Sequence, residues 1–142
     1  MSPNYPSLYD NRLDCQVTIR FSDSPSVLIE FESTFNIESH SSCGWDYLEV
    51  RDGPSASSNV IGSKLCGDLD PVPTPIQSTG NSMTLIFHTD GSVTRSGFKI
   101  RATPGGYEIL KCANSAKCVE IKIKQIIYDK IGIQLNIAIS IV

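Results

Sequence analysis

The chain has 142 residues, of which 40 % are hydrophobic and 19 % charged, and a formal net charge of −3. That balance fits one globular domain with room for an appendage, and excludes a disordered or membrane-embedded chain. The weak negative charge also excludes general nucleic-acid binding, which needs a basic face for the phosphates.

The chain opens Met1-Ser2-Pro3-Asn4-Tyr5-Pro6, with neither a basic start nor an apolar run, so no signal peptide is visible. Two expectations follow: a cytosolic protein, or a start that is not the natural one. Cys15, Val17, Ile19 and Phe21 then alternate along one face, followed by Val27, Ile29 and Phe31. In Cys43 to Gly53, "CGWDYLEVRDG", Leu48 and Val50 point one way, Tyr47 and Glu49 the other, and Asp52-Gly53 turns the chain. Met83, Leu85 and Phe87 form a further set, as do Phe98, Ile100 and Ala102. Turn clusters separate them: Ser22-Asp23-Ser24-Pro25, Asp52-Gly53-Pro54-Ser55, Asp70 to Pro75, and Asp90-Gly91-Ser92. Short alternating strands with such turns predict an all-β fold, an antiparallel β-sandwich.

Composition changes at Pro104-Gly105-Gly106. All eight prolines and nine of the ten glycines lie at or before Gly106, while ten of seventeen isoleucines follow it. A boundary is therefore expected at 104–106, with a domain over 1–103 and a tail over 107–142. In the tail, Ile131, Ile133, Leu135, Ile137, Ile139 and Ile141 alternate strictly. This predicts a strand or hairpin, and self-association through 131–142 if that strand is exposed. The run is too short to span a membrane.

The five cysteines are Cys15, Cys43, Cys66, Cys112 and Cys118. None form a Cys-x-x-Cys pair, and His40 and His88 do not complete a zinc pattern. Buried free thiols in a cytosolic protein are one reading; disulfides in a secreted β-domain suit the strand-rich chain better. Cys112 and Cys118 are close enough to close a small loop. No Gly-x-Ser-x-Gly elbow and no paired nucleophile and base are evident, so catalysis is not expected. His88 reads as a satisfied sandwich histidine, His40 as plain loop, and Arg51-Asp52-Gly53 as a turn.

The carboxylate of Asp46 stands between Trp45 and Tyr47, where burial is costly unless a positive or proton-donating group meets it. Glu38 and Asp90 are two further acids placed, like Asp46, at strand ends beside turn residues. Such a set either is solvated loop or converges on a cation.

Residues 2–103 resemble a CUB domain, an extracellular β-sandwich module of jelly-roll type. The resemblance rests on Ser2-Pro3-Asn4-Tyr5-Pro6, Tyr9, the strand led by Cys15, Phe35-Asn36-Ile37-Glu38 in a loop, Cys43 to Gly53, Leu65-Cys66-Gly67 and Ser96-Gly97-Phe98. CUB domains usually carry an earlier strand whose cysteine bridges to the one matching Cys15. A module lacking its first strand is therefore expected, and Cys15 is the odd cysteine. The resemblance implies a Cys43–Cys66 disulfide. It also implies one calcium ion, Ca2+, on Glu38, Asp46, Asp90 and the carbonyl of Ser92, oxygen donors that suit a hard cation. Many calcium-binding relatives have Asn where Val93 stands. In those relatives a lysine of a partner protein docks on the ligating acids, which carries over to Tyr9, Glu38, Asp90 and Ser92.

The function expected from this is an extracellular, secreted, calcium-dependent and non-catalytic interaction module. Two others stand beside it: an accessory fragment of a secreted protease, of complement or tolloid-like type, and a metal-free structural CUB domain. The flanking coding sequence would separate the first two; the three acids together weigh against the third.

Overall fold

A computed structural model describes residues 1–105 of the chain. Among these residues there are eight strands and no helix. They are β1 (Asp14–Arg20), β2 (Ser26–Ile37), β3 (Tyr47–Asp52), β4 (Asn59–Val60), β5 (Gly67–Leu69), β6 (Ile76–Gln77), β7 (Ser82–His88) and β8 (Gly97–Gly105). One sheet runs β1-β7-β3-β4. In the other, β2 pairs β8 from Ser26↔Gly105 to Asn36↔Gly97, and pairs β6 and β5 with its remaining edge. Every pairing is antiparallel, and the two sheets make the expected sandwich.

The alternation places the core. Val27, Ile29, Phe35, Ile37, Leu48, Val50 and Met83 are all buried, as inward positions of facing sheets should be. Aromatic rings lock the centre: Phe35 stacks on Phe98 at 5.8 Å between centroids, and Phe87 meets Phe98 edge-on at 5.2 Å. Cys43 and Cys66 form the disulfide, with Cα atoms 5.6 Å apart. Cys15 is free and half-buried. The Cys112–Cys118 loop and the 131–142 strand lie outside the described residues.

Two local expectations change. Phe35-Asn36-Ile37 is not loop but the end of β2. Between Glu32 and Phe35 the register with β8 shifts, so that three steps along β2 match one along β8. Two extra residues preserve the alternation, and Phe35 and Ile37 stay on the core side. Val17, in line with Cys15 and Ile19, is 54 % exposed. It sits on β1, an edge strand with β7 on one side only, so the inward face is left uncovered there.

The antiparallel order brings the end of β2, the start of β3, the end of β7 and the start of β8 to one end of the sandwich. The N-terminal segment is tied there too. The Ser2 amide donates to the Phe98 carbonyl at 2.9 Å and the Phe98 amide donates to Ser2 Oγ at 3.1 Å. Gly97 permits this approach: its φ is 78°, and a side-chain carbon on it would lie 2.0 Å from Ser2 Oγ.

Candidate metal centre

Asp46 is fully buried immediately before β3, and two donors meet it. The Tyr9 hydroxyl donates to Oδ2 at 2.6 Å, and the Asp90 amide donates to Oδ1 at 2.7 Å. The Tyr9 oxygen in turn accepts the Glu38 amide at 3.0 Å. One carboxylate and one phenol therefore join the segments that carry Tyr9, Glu38, Asp46 and Asp90. Tyr9 reaches in because its ring, 1 % exposed, packs edge-on against Phe87 at 5.2 Å. Burial and the hydrogen bond to Asp46 push its hydroxyl well above the ordinary tyrosine range, so it stays protonated and donating.

Glu38 follows β2 directly and is 7 % exposed. Its Oε2 is buried without a hydrogen-bond partner. Desolvation, then the charges of Asp46 and Asp90, raise its pKa. Carboxylate oxygens of Glu38, Asp46 and Asp90 all lie within 4.8 Å of one another. Such an assembly is costly as it stands. A cation set among the three would satisfy the stranded oxygen and offset the repulsion. The donors are all hard oxygens, which suits calcium.

Ser92 is exposed, and its amide donates to Asp90 Oδ1 at 2.9 Å, closing the turn over which its carbonyl follows. Of the residues expected in the site, Glu38, Asp46 and Asp90 converge. Ser92 adjoins them, and Tyr9 lies beneath them with its hydroxyl engaged twice.

Other residues hold the loops and were not singled out for this in the sequence. Thr89, buried, accepts the Leu13 amide at 2.8 Å and donates to the Asp10 carbonyl at 2.9 Å, fastening the N-terminal loop to the end of β7. His40 Nδ1 accepts the amides of Ser42 at 3.2 Å and Gly44 at 3.0 Å, and its ring lies 4.4 Å from Trp45. It is a staple of the loop before Asp46 rather than plain loop. His88 pairs with Asp14 at 2.6 Å and stacks on Tyr47. Backbone strain gathers at this end as well. Among the described residues, the non-glycine ones with positive φ are Asn4, Arg12, Cys43 and Val93, all in loops that lead to the cluster.

A family model described as the CUB domain matches residues 1–101. The chain belongs to the CUB domain family. CUB domains are protein-interaction modules, generally without catalysis of their own. Human Tolloid-like protein 1 is 44 % identical over 97 residues, which are 68 % of this chain and 9 % of that protein. Cubilin of Sus scrofa is 41 % identical over 97 residues, 68 % of this chain and 3 % of cubilin. This CUB chain thus spans a small part of the relatives it matches. Among solved structures, the MASP-1 CUB2 domain bound to Ca2+ aligns with a TM-score of 0.61 at 31 % identity, covering 71 % of this chain and 86 % of that one. The CUB1-EGF-CUB2 domain of human MASP-1/3 aligns with a TM-score of 0.63 at 30 % identity, covering 73 % of this chain and 37 % of that one.

Proposed function

We propose that this CUB module acts outside the cell, without catalysis, as a calcium-dependent binder of a lysine side chain on a partner protein. The observation that carries the reading is Glu38 Oε2, buried without a partner beside two more carboxylates. Glu38, Asp46, Asp90 and the Ser92 carbonyl would hold the ion, whose positive charge would keep the three acids together. Asp46 is already aimed by Tyr9 and by the Asp90 amide. Tyr9 positions ligands from below, and Glu38, Asp90 and the Ser92 hydroxyl face the partner. Three carboxylates around one divalent ion keep a formal charge of −1, which attracts an ammonium group at short range. Contacts of this kind are small, so strength in the parent protein comes from several modules acting together. The likeness to a solved CUB2 domain bound to Ca2+ supports the metal.

The likeness to tolloid-like proteins favours one further reading, in which the module is the accessory piece of a secreted protease. Reading the flanking coding sequence decides that.

Melting the full chain in millimolar calcium, in magnesium and in excess chelator tests the metal. A ligand that binds only the folded state at about a hundred times its Kd stabilises by about 2.7 kcal/mol. Melting should rise with calcium and much less with magnesium, which gives up its water reluctantly. Identical melts in calcium and in chelator would refute the site. Retention of the chain on lysine-bearing peptides should then require calcium.

A further inference from the structure

Two arginines flank the acidic cluster. Arg12 has a φ of 57°, and its amide donates to the Asp90 carbonyl at 2.6 Å. Its Nε lies 3.8 Å from where a side-chain carbon would start at Gly91, so the guanidinium runs along the turn that carries Asp90 and Ser92. The Arg95 carbonyl accepts the Tyr9 amide at 3.0 Å, which fixes its backbone beside the residue that aims Asp46. Both arginines are exposed. Neither forms an ion pair among the described residues; Arg95 Nη1 donates only to the adjacent Thr94 carbonyl, at 3.1 Å.

A solvated arginine on a loop is ordinary, but two beside a cation site change what that site accepts. Asp10 is on the same loop, held by Asn4 at 3.1 Å. With calcium in place, Asp10, Glu38, Asp46 and Asp90 are balanced by the divalent ion and the two guanidiniums. The formal charge of this set is then zero. A lysine among neutral neighbours would gain the short contact with the acids, but no attraction beyond a Debye length of about 8 Å. Carboxylates beside that lysine would meet guanidinium groups, whose planar forks bind them in two-pronged fashion.

We propose that this end of the module selects a basic side chain flanked by acidic residues, with the base against Glu38 and Asp90 and its acidic neighbours against Arg12 and Arg95. The proposal deepens the lysine-binding reading and rests on it.

The test is surface capture of the full chain, in calcium and physiological salt, on three immobilised peptides. One carries a lysine among glycine and serine, one a lysine with glutamates on both sides, and one the same glutamates with glutamine for the lysine. The glutamate-flanked lysine should bind about tenfold tighter than the neutral one, the scale of one to two charged contacts. The preference should vanish in Arg12→Gln/Arg95→Gln and return only in part in Arg12→Lys/Arg95→Lys, which restores the charge without the fork. The calcium-dependent melting shift of each variant reports its fold. Equal binding of the two lysine peptides, or a preference unchanged in the glutamine variant, overturns this proposal and leaves the lysine reading standing. If neither lysine peptide binds in calcium, both fall. Equal capture by the lysine-free acidic peptide, or by heparin in an arginine-dependent way, assigns the arginines to a purely anionic ligand and overturns it too.

Discussion

The Tyr9 hydroxyl lies 2.6 Å from Asp46 Oδ2, joining residues 37 positions apart beneath the acidic cluster. The same oxygen accepts the Glu38 amide at 3.0 Å. One phenol therefore sets the spacing between two of the three acids. Tyr9→Phe keeps the ring and its packing on Phe87 but leaves a buried carboxylate oxygen and a buried amide short of a partner. The expected loss is about 2–3 kcal/mol, read as a lower urea midpoint with an unchanged slope. A variant as stable as the parent would show that the hydroxyl does not hold the cluster.

Glu38 makes stability and calcium response move in opposite directions with pH. Its folded pKa lies above the ordinary glutamate value because of burial and then of Asp46 and Asp90. In chelator, its contribution to stability is present below the unfolded pKa and is lost as pH rises through the folded one. Calcium needs the ionised form, so the melting increment from calcium should shrink as pH falls from neutral through that raised pKa. Glu38→Gln should melt higher than the parent in chelator at neutral pH and gain far less from calcium. A calcium increment that stays flat down to pH 4 would remove Glu38 from the site.

Val93 follows Ser92 with a φ of 59° and a side chain 43 % exposed. A β-branched residue is strained there, while asparagine tolerates the left-handed region. Little burial is lost on replacement, so Val93→Asn should stabilise by about 1 kcal/mol. Its amide oxygen would also bring a further hard donor next to Ser92, so the calcium increment should grow. Equal or lower stability in a urea titration would rule out the strain.

The Cys43–Cys66 bridge closes a loop with a sequence separation of 23 and anchors the segment leading to Asp46. Its removal in Cys43→Ala/Cys66→Ala should cost about 3 kcal/mol in the chain-entropy account. Peptide mapping without reduction should link Cys43 to Cys66 and leave Cys15 outside that pair. Cys15 linked to either one would contradict the fold described.

The sandwich was legible in the residues because its five longer strands carry their own evidence, while β4, β5 and β6, two or three residues each, are too short to show a period. Val27, Ile29 and Phe31, or Met83, Leu85 and Phe87, alternate whatever their partners, and turn residues separate the runs. The three acids were legible as candidates through their places at strand ends and through the resemblance to CUB domains. What they meet was not. Tyr9, Asp46 and Asp90 come together only after β7 pairs with both β1 and β3, a non-local choice that no window of sequence contains. The same holds for the bulge that carries Phe35 and Ile37 into the core, and for Thr89, whose hydrogen bonds reach Leu13 and Asp10; the His40 staple is local, to Ser42 and Gly44, but its residue type alone does not mark it. Val17 shows the limit from the other side, since its place in the alternation is right and its burial depends on a neighbouring strand. Period and turn chemistry are local properties of the chain. Burial, an unpartnered carboxylate oxygen and a raised pKa belong to atoms that only the packed sandwich makes neighbours.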